Sequence, residues 1–280
     1  MIFISAQDLI TLYLWQTELM VNNLNRLKIP RNRIHVLFAI HKNQKIAGED
    51  AQILQAITSL ATVFFYYDDR KSRAYPSSVR PHILSQHFRK YKFLRRTRFL
   101  YHDCDIQFRE IPPICYTTDV NTWYASDTAN YMSASYIISN IGRDRFIEMC
   151  QLVHVNPDLV QRQDTNCGGA QYLISNVGPQ FWSKVEKDCE AIYKFCSLIE
   201  SEHRISRTIA PDDKSNLKEP IQKWCADMWA LLWNAIYFGH KVKVHEDLSF
   251  AWPKDLATRS NQTFIIHNAG ILCKEADRYF

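Results

Sequence analysis

The sequence lacks several features that would place it in a specialised class of protein. It has eight cysteines but no C-x-x-C pair, which argues against a zinc ribbon and a compact disulfide framework. No run approaches the ~20 apolar residues of a membrane span, and no basic segment followed by a long apolar core opens the chain. We therefore expect a soluble, cytoplasmic protein whose cysteines are reduced thiols packed as small hydrophobic side chains.

The composition is that of an ordinary globular protein. Apolar residues make up 46% and charged residues 22% of the 280 residues, so a full hydrophobic core is expected and extensive disorder is not. No low-complexity segment or repeat divides the sequence. We predict a single domain over residues 1–280.

Strand-like and helix-like patterns alternate through the first hundred residues. Short apolar runs predict strands, and apolar residues at helical spacing predict helices between them. The predicted strands are Ile2 to Ser5, Ile34 to Ile40, Val63 to Tyr67 and Arg98 to His102, and the helices are Leu9 to Leu27, Glu49 to Leu60 and Pro81 to Tyr91. This order favours a mostly parallel central sheet flanked by helices, the α/β class.

The later segments are less regular. Strands are predicted at Thr122 to Ala125, Lys241 to His245 and from Phe264, and helices at Ser133 to Ile141, Arg143 to His154, Phe181 to Ile199 and Ile221 to Phe238. The polar stretch Glu200 to Glu219 is predicted to be a loop that could close over a ligand.

Two carboxylates, Asp103 and Asp105, follow the fourth predicted strand. If the chain stays extended, their side chains point the same way while Cys104 points into the protein. Open α/β sheets bind ligands at the carboxyl ends of their strands, and paired carboxylates suit Mg²⁺ or Mn²⁺ that bridges to a phosphate. The alternative is that both are ordinary solvated residues at a strand end.

A carboxylate also interrupts the apolar helix that follows Pro220. Asp227 lies two turns beyond this proline, where the helix N-terminus no longer stabilises a negative charge. It therefore requires a partner, a polar cavity or a raised pKa, and a carboxylate that faces a cleft suits a general base. The alternative is a structural salt bridge or a side chain that reaches water.

Two further motifs are candidates for a binding site. Gly168 and Gly169 are adjacent although the chain has only seven glycines, which predicts a close approach of the backbone to a ligand, beside Gln171. A simple turn before a helix is the alternative. His267 follows a late apolar run and is either a ligand or a structural histidine.

Positive charge is concentrated in one segment. The net charge is +5, and the stretch from Arg89 to Arg98 carries six positive charges. Such a block is able to hold phosphates or a nucleic acid, and it is equally the solvated end of a helix.

Taken in this order, the motifs resemble those of a GT-A fold glycosyltransferase, the nucleotide-sugar-dependent type built on a Rossmann-like sheet. The resemblance spans most of the chain and rests on the first strand, Tyr67-Asp68-Asp69, the D-x-D at Asp103-Cys104-Asp105, Gly168-Gly169-Ala170-Gln171, the helix with Asp227, and Ile266-His267-Asn268-Ala269-Gly270. It implies that residues 1–110 bind the nucleotide and residues 111–280 bind the acceptor.

The resemblance also implies residue roles. Asp103, Asp105 and His267 would hold Mn²⁺ or Mg²⁺ against the donor diphosphate, and Asp227 would be the base that activates the acceptor in an inverting enzyme. The donor would be contacted by Ser5, Ala6, Gln7, Asp68, Arg80, Asp103, Gly168, Gly169 and Gln171. In this chain Ala226-Asp227 replaces the more common acidic pair.

The expected function is transfer of a sugar, from a UDP-sugar by preference, to an acceptor hydroxyl. The acceptor is a hydroxylated base in DNA, as in related phage and viral enzymes, or else a glycan or a protein side chain. Two other classes stay open: a nucleotidyltransferase with a paired-aspartate metal site, which releases pyrophosphate, and a non-enzymatic nucleic-acid-binding module, which needs no metal.

Overall fold

The first half of the protein has the predicted alternation of strands and helices. The computed structural model describes residues 1–209 and 221–269. Its first four strands are β1 (Ile2–Asp8), β2 (Ile34–Ile40), β3 (Thr62–Tyr67) and β4 (Phe99–Tyr101). The helices between them are α1 (Thr11–Arg26), α2 (Gly48–Leu60) and α3 (Val79–Lys90). Each of these elements lies within a few residues of its predicted position.

The central sheet contains seven strands and is mostly parallel. Three further strands belong to it: β6 (Thr122–Asp127), β7 (Gly168–Ile174) and β8 (Lys241–Val244). The strand order is β3-β2-β1-β4-β7-β6-β8, and β7 runs antiparallel to both of its neighbours. The predicted α/β fold, with a mostly parallel sheet between helices, is confirmed.

A second sheet of three short strands lies beside the first. It consists of β5 (Ile106–Phe108), β9 (Phe250–Ala251) and β10 (Ile265–His267), with β10 in the centre. Strand β10 pairs antiparallel with β5, and the backbone N–H of Asn268 donates to the carbonyl of Asp105 at 2.8 Å. This pairing joins the end of the described chain to the turn that carries the two aspartates.

The remaining helices cover the second half of the chain. They are α4 (Ala129–Met132), α5 (Ala134–Ile141), α6 (Arg143–Leu152), α7 (Pro157–Arg162), α8 (Pro179–Ile209), α9 (Ala226–Tyr237) and α10 (Ala257–Ser260). Helix α8 extends ten residues beyond the predicted end at Ile199, so the loop prediction is wrong for residues 200–209. The rest of that loop prediction, and Gly270, lie outside the described residues.

The core lies on both faces of the central sheet. Ile2 and Ile4 of β1 pack on the face covered by α3, α8 and α9, whereas Phe3 packs on the opposite face with α1 and α2. A strand covered on both faces favours apolar residues on both sides, which is why β1 begins with the continuous apolar run Ile2 to Ile4.

Seven cysteines, Cys104, Cys115, Cys150, Cys167, Cys189, Cys196 and Cys225, are buried free thiols, as predicted. Cys273 lies outside the described residues. Within the described part of the chain, no helix combines the length and apolar character that a membrane crossing requires.

Candidate active site

Five of the titratable residues predicted from the sequence meet in one cavity of about 230 Å³ at the carboxyl end of β4. Arg80 comes from the first turn of α3, Asp103 and Asp105 from the turn between β4 and β5, Asp227 from the first turn of α9, and His267 from the end of β10. Aromatic side chains complete the wall, among them Tyr101, Tyr131, Tyr172, Trp224 and Trp252.

Asp103, Asp105 and His267 form a cluster suited to a metal ion. One ligand atom from each residue lies within 4.8 Å of the others. The Nε2 atom of His267 is 3.3 Å from Asp105 Oδ1 and 3.7 Å from Asp103 Oδ2. Strand β4 ends at Tyr101, so the two carboxylates share a tight turn rather than the extended strand that the alternation argument assumed.

The donor set of this cluster fits a hard divalent cation. Asp105 Oδ1 is a buried acceptor without a hydrogen bond of good geometry, and the Nε2 atom of His267 lies 3.3 Å from it. A buried carboxylate oxygen without a partner is costly, and a cation at this position would satisfy it. Carboxylates suit Mg²⁺ and Mn²⁺, and an imidazole favours a transition-metal ion, so Mn²⁺ matches the whole set.

His267 is held in place by the side chains of Gln171 and Trp252. Its Nδ1 lies 3.4 Å from the Gln171 side-chain amide, whose oxygen accepts a 2.6 Å hydrogen bond from Ser126. The ring of Trp252 stacks on the imidazole at 5.3 Å between centroids. Burial lowers the pKa of His267, but the carboxylates of Asp105 and Asp103 raise it by a larger amount, so the net shift is upward. Such neighbours fix the ring orientation of a metal-binding histidine.

The glycine pair belongs to the buried strand β7 and not to a turn before a helix, so that alternative is wrong. A methyl group on Gly169 would lie 2.6 Å from Met228 Cε and 2.7 Å from Met132 Sδ. Ala170 lines the cavity, whereas Gln171 is fully buried behind His267. The strand therefore reaches the site through Ala170 and through the Gln171 amide.

Arg80 lies between the cluster of Asp103, Asp105 and His267 on one side and Asp227 on the other. Its Nη1 is 2.6 Å from Asp103 Oδ1 and 3.5 Å from Asp227 Oδ2. Burial lowers the pKa of Arg80, but both carboxylates raise it well above its ordinary value, so the guanidinium is charged. A fixed positive charge in a buried cavity is suited to bind an anionic group such as a diphosphate.

Asp227 differs from the sequence prediction in its position on the helix. The α-helix begins at Ala226 after one turn of 3₁₀ helix, so Asp227 lies in the first turn of α9 rather than two turns deep. Its Oδ1 accepts a 2.6 Å hydrogen bond from the Tyr75 hydroxyl. Burial raises the pKa of Asp227, and Arg80 and Tyr75 only partly oppose this rise. A raised pKa is the property expected of a general base.

The residues predicted to contact the nucleoside lie in β1 and directly after β3. Ser5, Ala6 and Gln7 are buried in β1, and the Gln7 side chain donates to Thr17 Oγ1 at 3.1 Å. Asp68 follows β3 and forms a two-point ion pair with Arg70, at 2.8 and 3.0 Å. Burial raises the pKa of Asp68, but the bonds from Arg70 lower it to about 2. Asp68 does not line the 230 Å³ cavity.

Several polar residues of this region were missed from the sequence. Asp8 ends β1 and His41 follows β2, and their side chains meet at 2.9 Å, with His41 Nδ1 3.6 Å from Asp68. The sequence pattern that would have identified Asp8 and His41 is a polar residue at or directly after the end of an apolar strand. Tyr75, which bonds Asp227, gave no such signal because it lies in an irregular segment.

The basic block is remote from these groups. Arg98 immediately precedes β4 and Asp103 follows it, so they lie at opposite ends of that strand. Arg89 and Lys90 are exposed in the last turn of α3, and Arg98 donates to the carbonyl of Thr117. The block is therefore largely the solvated end of a helix and does not flank the cavity.

A larger and more open groove of about 1160 Å³ lies between α3 and α8. Some of its charged side chains are paired: His82 contacts Asp69 at 2.7 Å and Glu186 at 3.0 Å. The aspartate pair, Asp227 and His267 are not among its lining residues. The smaller cavity is therefore the candidate active site.

No protein-family model matches the chain, and no curated protein matches it. Solved structures of other proteins do match this chain. One is the WbbM bifunctional glycosyltransferase, at 12% identity, covering 96% of this chain and 46% of that one, with a TM-score of 0.48. This chain thus spans about half the length of that protein. A second is the galactosyltransferase LgtC in complex with donor and acceptor sugar analogs, at 14% identity, 96% and 87% coverage and a TM-score of 0.43.

A third similar structure is a glycosyltransferase involved in glycosylation of the major capsid protein of PBCV-1. It is 11% identical, covers 99% of this chain and 98% of that one, and has a TM-score of 0.42.

Proposed function

We propose that this protein is a metal-dependent glycosyltransferase that moves a sugar from a nucleotide-sugar donor to an acceptor hydroxyl. One observation carries the proposal: a cluster of two carboxylates and an imidazole shares a cavity with a carboxylate of raised pKa, and Arg80 bridges the two. The first group suits a cation that holds a diphosphate, and the second suits a base for a hydroxyl.

We place the donor across two regions, the 230 Å³ cavity and the ends of β1 and β3. A cavity of about 230 Å³ is smaller than the ~300–1,000 Å³ of typical ligand sites, so it takes a sugar and part of the diphosphate but not a whole nucleotide sugar. The nucleoside then extends along the ends of β1 and β3, near Ser5 to Gln7 and Asp68. Under this proposal, residues 1–110 bind the nucleotide and residues 111–280 bind the acceptor.

In the reaction, the acceptor oxygen forms a bond to the anomeric carbon as the bond from that carbon to the diphosphate breaks. Asp103, Asp105 and His267 would hold the ion, which supplies positive charge to the leaving diphosphate. Arg80 adds a second positive charge beside it. For an inverting reaction, Asp227 takes the proton of the acceptor hydroxyl, and the Tyr75 hydroxyl orients its carboxylate.

The test begins with a thermal-shift screen of UDP- and GDP-sugars with Mn²⁺, with and without chelator. Stabilisation that the chelator abolishes supports the donor site, and Asp105→Ala should lose it. Asp227→Asn should keep the donor-induced shift and lose about 10²–10⁴-fold in transfer rate, the usual contribution of a general base. Asp158→Asn, an exposed aspartate on α7, is the matched control and should change neither measurement.

The product distinguishes this proposal from its rivals. A free nucleoside diphosphate supports glycosyl transfer, whereas pyrophosphate would show nucleotidyl transfer instead. If Asp227→Asn transfers sugar at the normal rate, the assignment of the base is wrong.

A further inference from the structure

A second cavity adjoins the site and is not used by the donor as placed above. It has a volume of about 680 Å³ and lies between α5, the C-terminal part of α8 and the segment that leads into α9. Ser77 and Trp224 line both this cavity and the 230 Å³ cavity that contains Asp227. The two cavities are therefore neighbours that share a wall, and we call them together the acceptor groove.

Trp224 is the most prominent side chain at the junction. Its side chain is 54% exposed, although it belongs to a one-turn helix that is well anchored. The Tyr75 hydroxyl oxygen lies 2.6 Å from its backbone carbonyl oxygen, and the Tyr131 ring lies 5.7 Å from the indole ring. An anchored, exposed aromatic face beside a reaction centre is suited to stack on a flat apolar surface of a ligand.

The outer part of the groove continues this pattern. Tyr193 stacks on Tyr75 at 4.8 Å between ring centroids, and Tyr136 and Tyr193 both line the second cavity. Asn140 and Gln222, whose side chains carry amides, line the same cavity. Sugar rings present apolar C–H faces and polar hydroxyl edges, so aromatic faces interspersed with amides match their surface.

The charge of the groove selects among ligands with flat faces. Among the described residues that line the second cavity, the ionisable side chains other than tyrosines are Lys223 and Glu200, and these two form an ion pair with each other. A nucleic acid needs unpaired cations along its path, and the basic block lies beyond the other end of β4. The second cavity is thus electrically balanced and favours an uncharged ligand.

We propose that the acceptor is a neutral glycan of at least two sugar units that binds across Trp224. This inference rests on the proposed glycosyl transfer and specifies its substrate class. The terminal sugar lies at the junction of the two cavities, beside Ser77 and Trp224, so that one hydroxyl reaches Asp227, and the next unit stacks on the indole. Further units lie in the tyrosine-lined cavity.

The experiment measures how acceptor length affects affinity. The probes are neutral mono-, di- and trisaccharides of glucose, galactose and N-acetylglucosamine, and a single-stranded DNA 12-mer, each titrated by calorimetry into the enzyme with Mn²⁺ and UDP. The wild type should bind the best disaccharide at least about tenfold more tightly than its terminal monosaccharide, as expected for one added stacking contact. Trp224→Ala should abolish that gain and leave monosaccharide affinity within about twofold.

Two variants serve as controls. Trp224→Phe retains an aromatic face and should keep most of the gain, which separates stacking from a general loss of folding. Phe93→Ala removes a side chain of similar exposure, 56%, at the far end of the sheet and should behave as the wild type.

The outcomes separate this inference from the proposed function. If no probe glycan binds, if length has no effect, if Trp224→Ala keeps the gain, or if DNA binds in preference, the glycan groove is wrong while the donor-induced thermal shift still supports glycosyl transfer. If the wild type shows no metal-dependent donor shift at all, the proposed function is wrong and this inference is wrong with it.

Discussion

At the scale of single residues, Arg80 has the most consequential position in the cavity. Its guanidinium contacts a carboxylate of the metal cluster at 2.6 Å and the proposed base at 3.5 Å. Both contacts are partly buried, where charges interact more strongly than in water. In the proposed function, Arg80 would therefore compete with the cation for Asp103 and, at the same time, provide positive charge for a diphosphate.

The replacement Arg80→Met should strengthen the binding of Mn²⁺ alone, by about tenfold, because it frees Asp103 and removes a neighbouring positive charge. The same variant should weaken UDP binding in the absence of metal, since the diphosphate loses an ionic partner. Isothermal titration calorimetry measures both affinities. Arg89→Met, at the exposed end of the same helix, is the matched control, and unchanged or weaker Mn²⁺ binding by Arg80→Met would contradict the competition.

Single residues also show what the sequence was able to predict. Asp103, Asp105, Asp227 and His267 were selected because each follows a strand or interrupts an apolar segment. Arg80 was selected from the family resemblance alone, and the fold brings these five together. Tyr75 and the supporting role of Gln171 were not predictable, since their contacts join segments more than ninety positions apart. No local pattern encodes such a contact.

At the scale of secondary-structure elements, β7 was the most instructive error. Two glycines weaken the usual strand signal, because glycine lacks the side chain that packs on a sheet. The structure shows why glycine is present: Cβ atoms at both positions would collide with the neighbouring strand or with α9 and α4. Strands β5 and β9 of the three-stranded sheet were missed for a different reason, since strands of two or three residues are too short to show a period of two.

The two glycines should differ in their sensitivity to alanine. At Gly168 the added methyl group would lie 2.4 Å from Ala125 Cβ and 3.0 Å from the Ser126 carbonyl, atoms of an adjacent strand that cannot move independently. At Gly169 it would meet the ends of two flexible methionine side chains, at 2.6 and 2.7 Å. We expect Gly169→Ala to lower the free energy of unfolding by about 1–3 kcal/mol, the usual range for overpacking, and Gly168→Ala to lower it by more.

Urea denaturation of both variants checks this order. Gly178→Ala is the control, because its nearest contact is the far end of the Gln180 side chain at 3.2 Å. An equal or smaller loss for Gly168→Ala than for Gly169→Ala would show that β6 yields more readily than the methionines.

At the scale of the whole molecule, the central sheet assembles the site from distant parts of the chain. Strand β4 belongs to the first half of the sequence and pairs with β7 of the second half, while β5 pairs with β10 near the end of the described chain. The parallel half was predictable because each strand is followed by its own covering helix. The antiparallel insertion of β7 and the return of β10 were not, because strand order across a sheet is decided by packing between elements.

The stability of the whole molecule should decrease in acid because of a buried histidine pair. His35 Nδ1 lies 3.2 Å from His87 Nε2, and His87 Nδ1 lies 2.6 Å from the Tyr66 hydroxyl. Burial lowers the pKa of His35 to about 4 and that of His87 to about 3. Both rings are therefore neutral in the folded protein at pH values where the unfolded chain, with a histidine pKa near 6.5, already binds protons.

This difference fixes the sign and the range of the effect. Folding stability contributed by the neutral pair is fully present above about pH 6.5 and is lost as the pH falls toward about 4, because the unfolded state then binds more protons than the folded state. Urea denaturation at pH 7.5, 5.5 and 4.5 should show this loss, on the order of a few kcal/mol. His87→Gln should flatten the dependence, whereas His154→Asn, an exposed histidine at φ 60°, should leave it unchanged. A wild-type stability that is constant between pH 7.5 and 4.5 would mean that the pair takes up protons in the folded state.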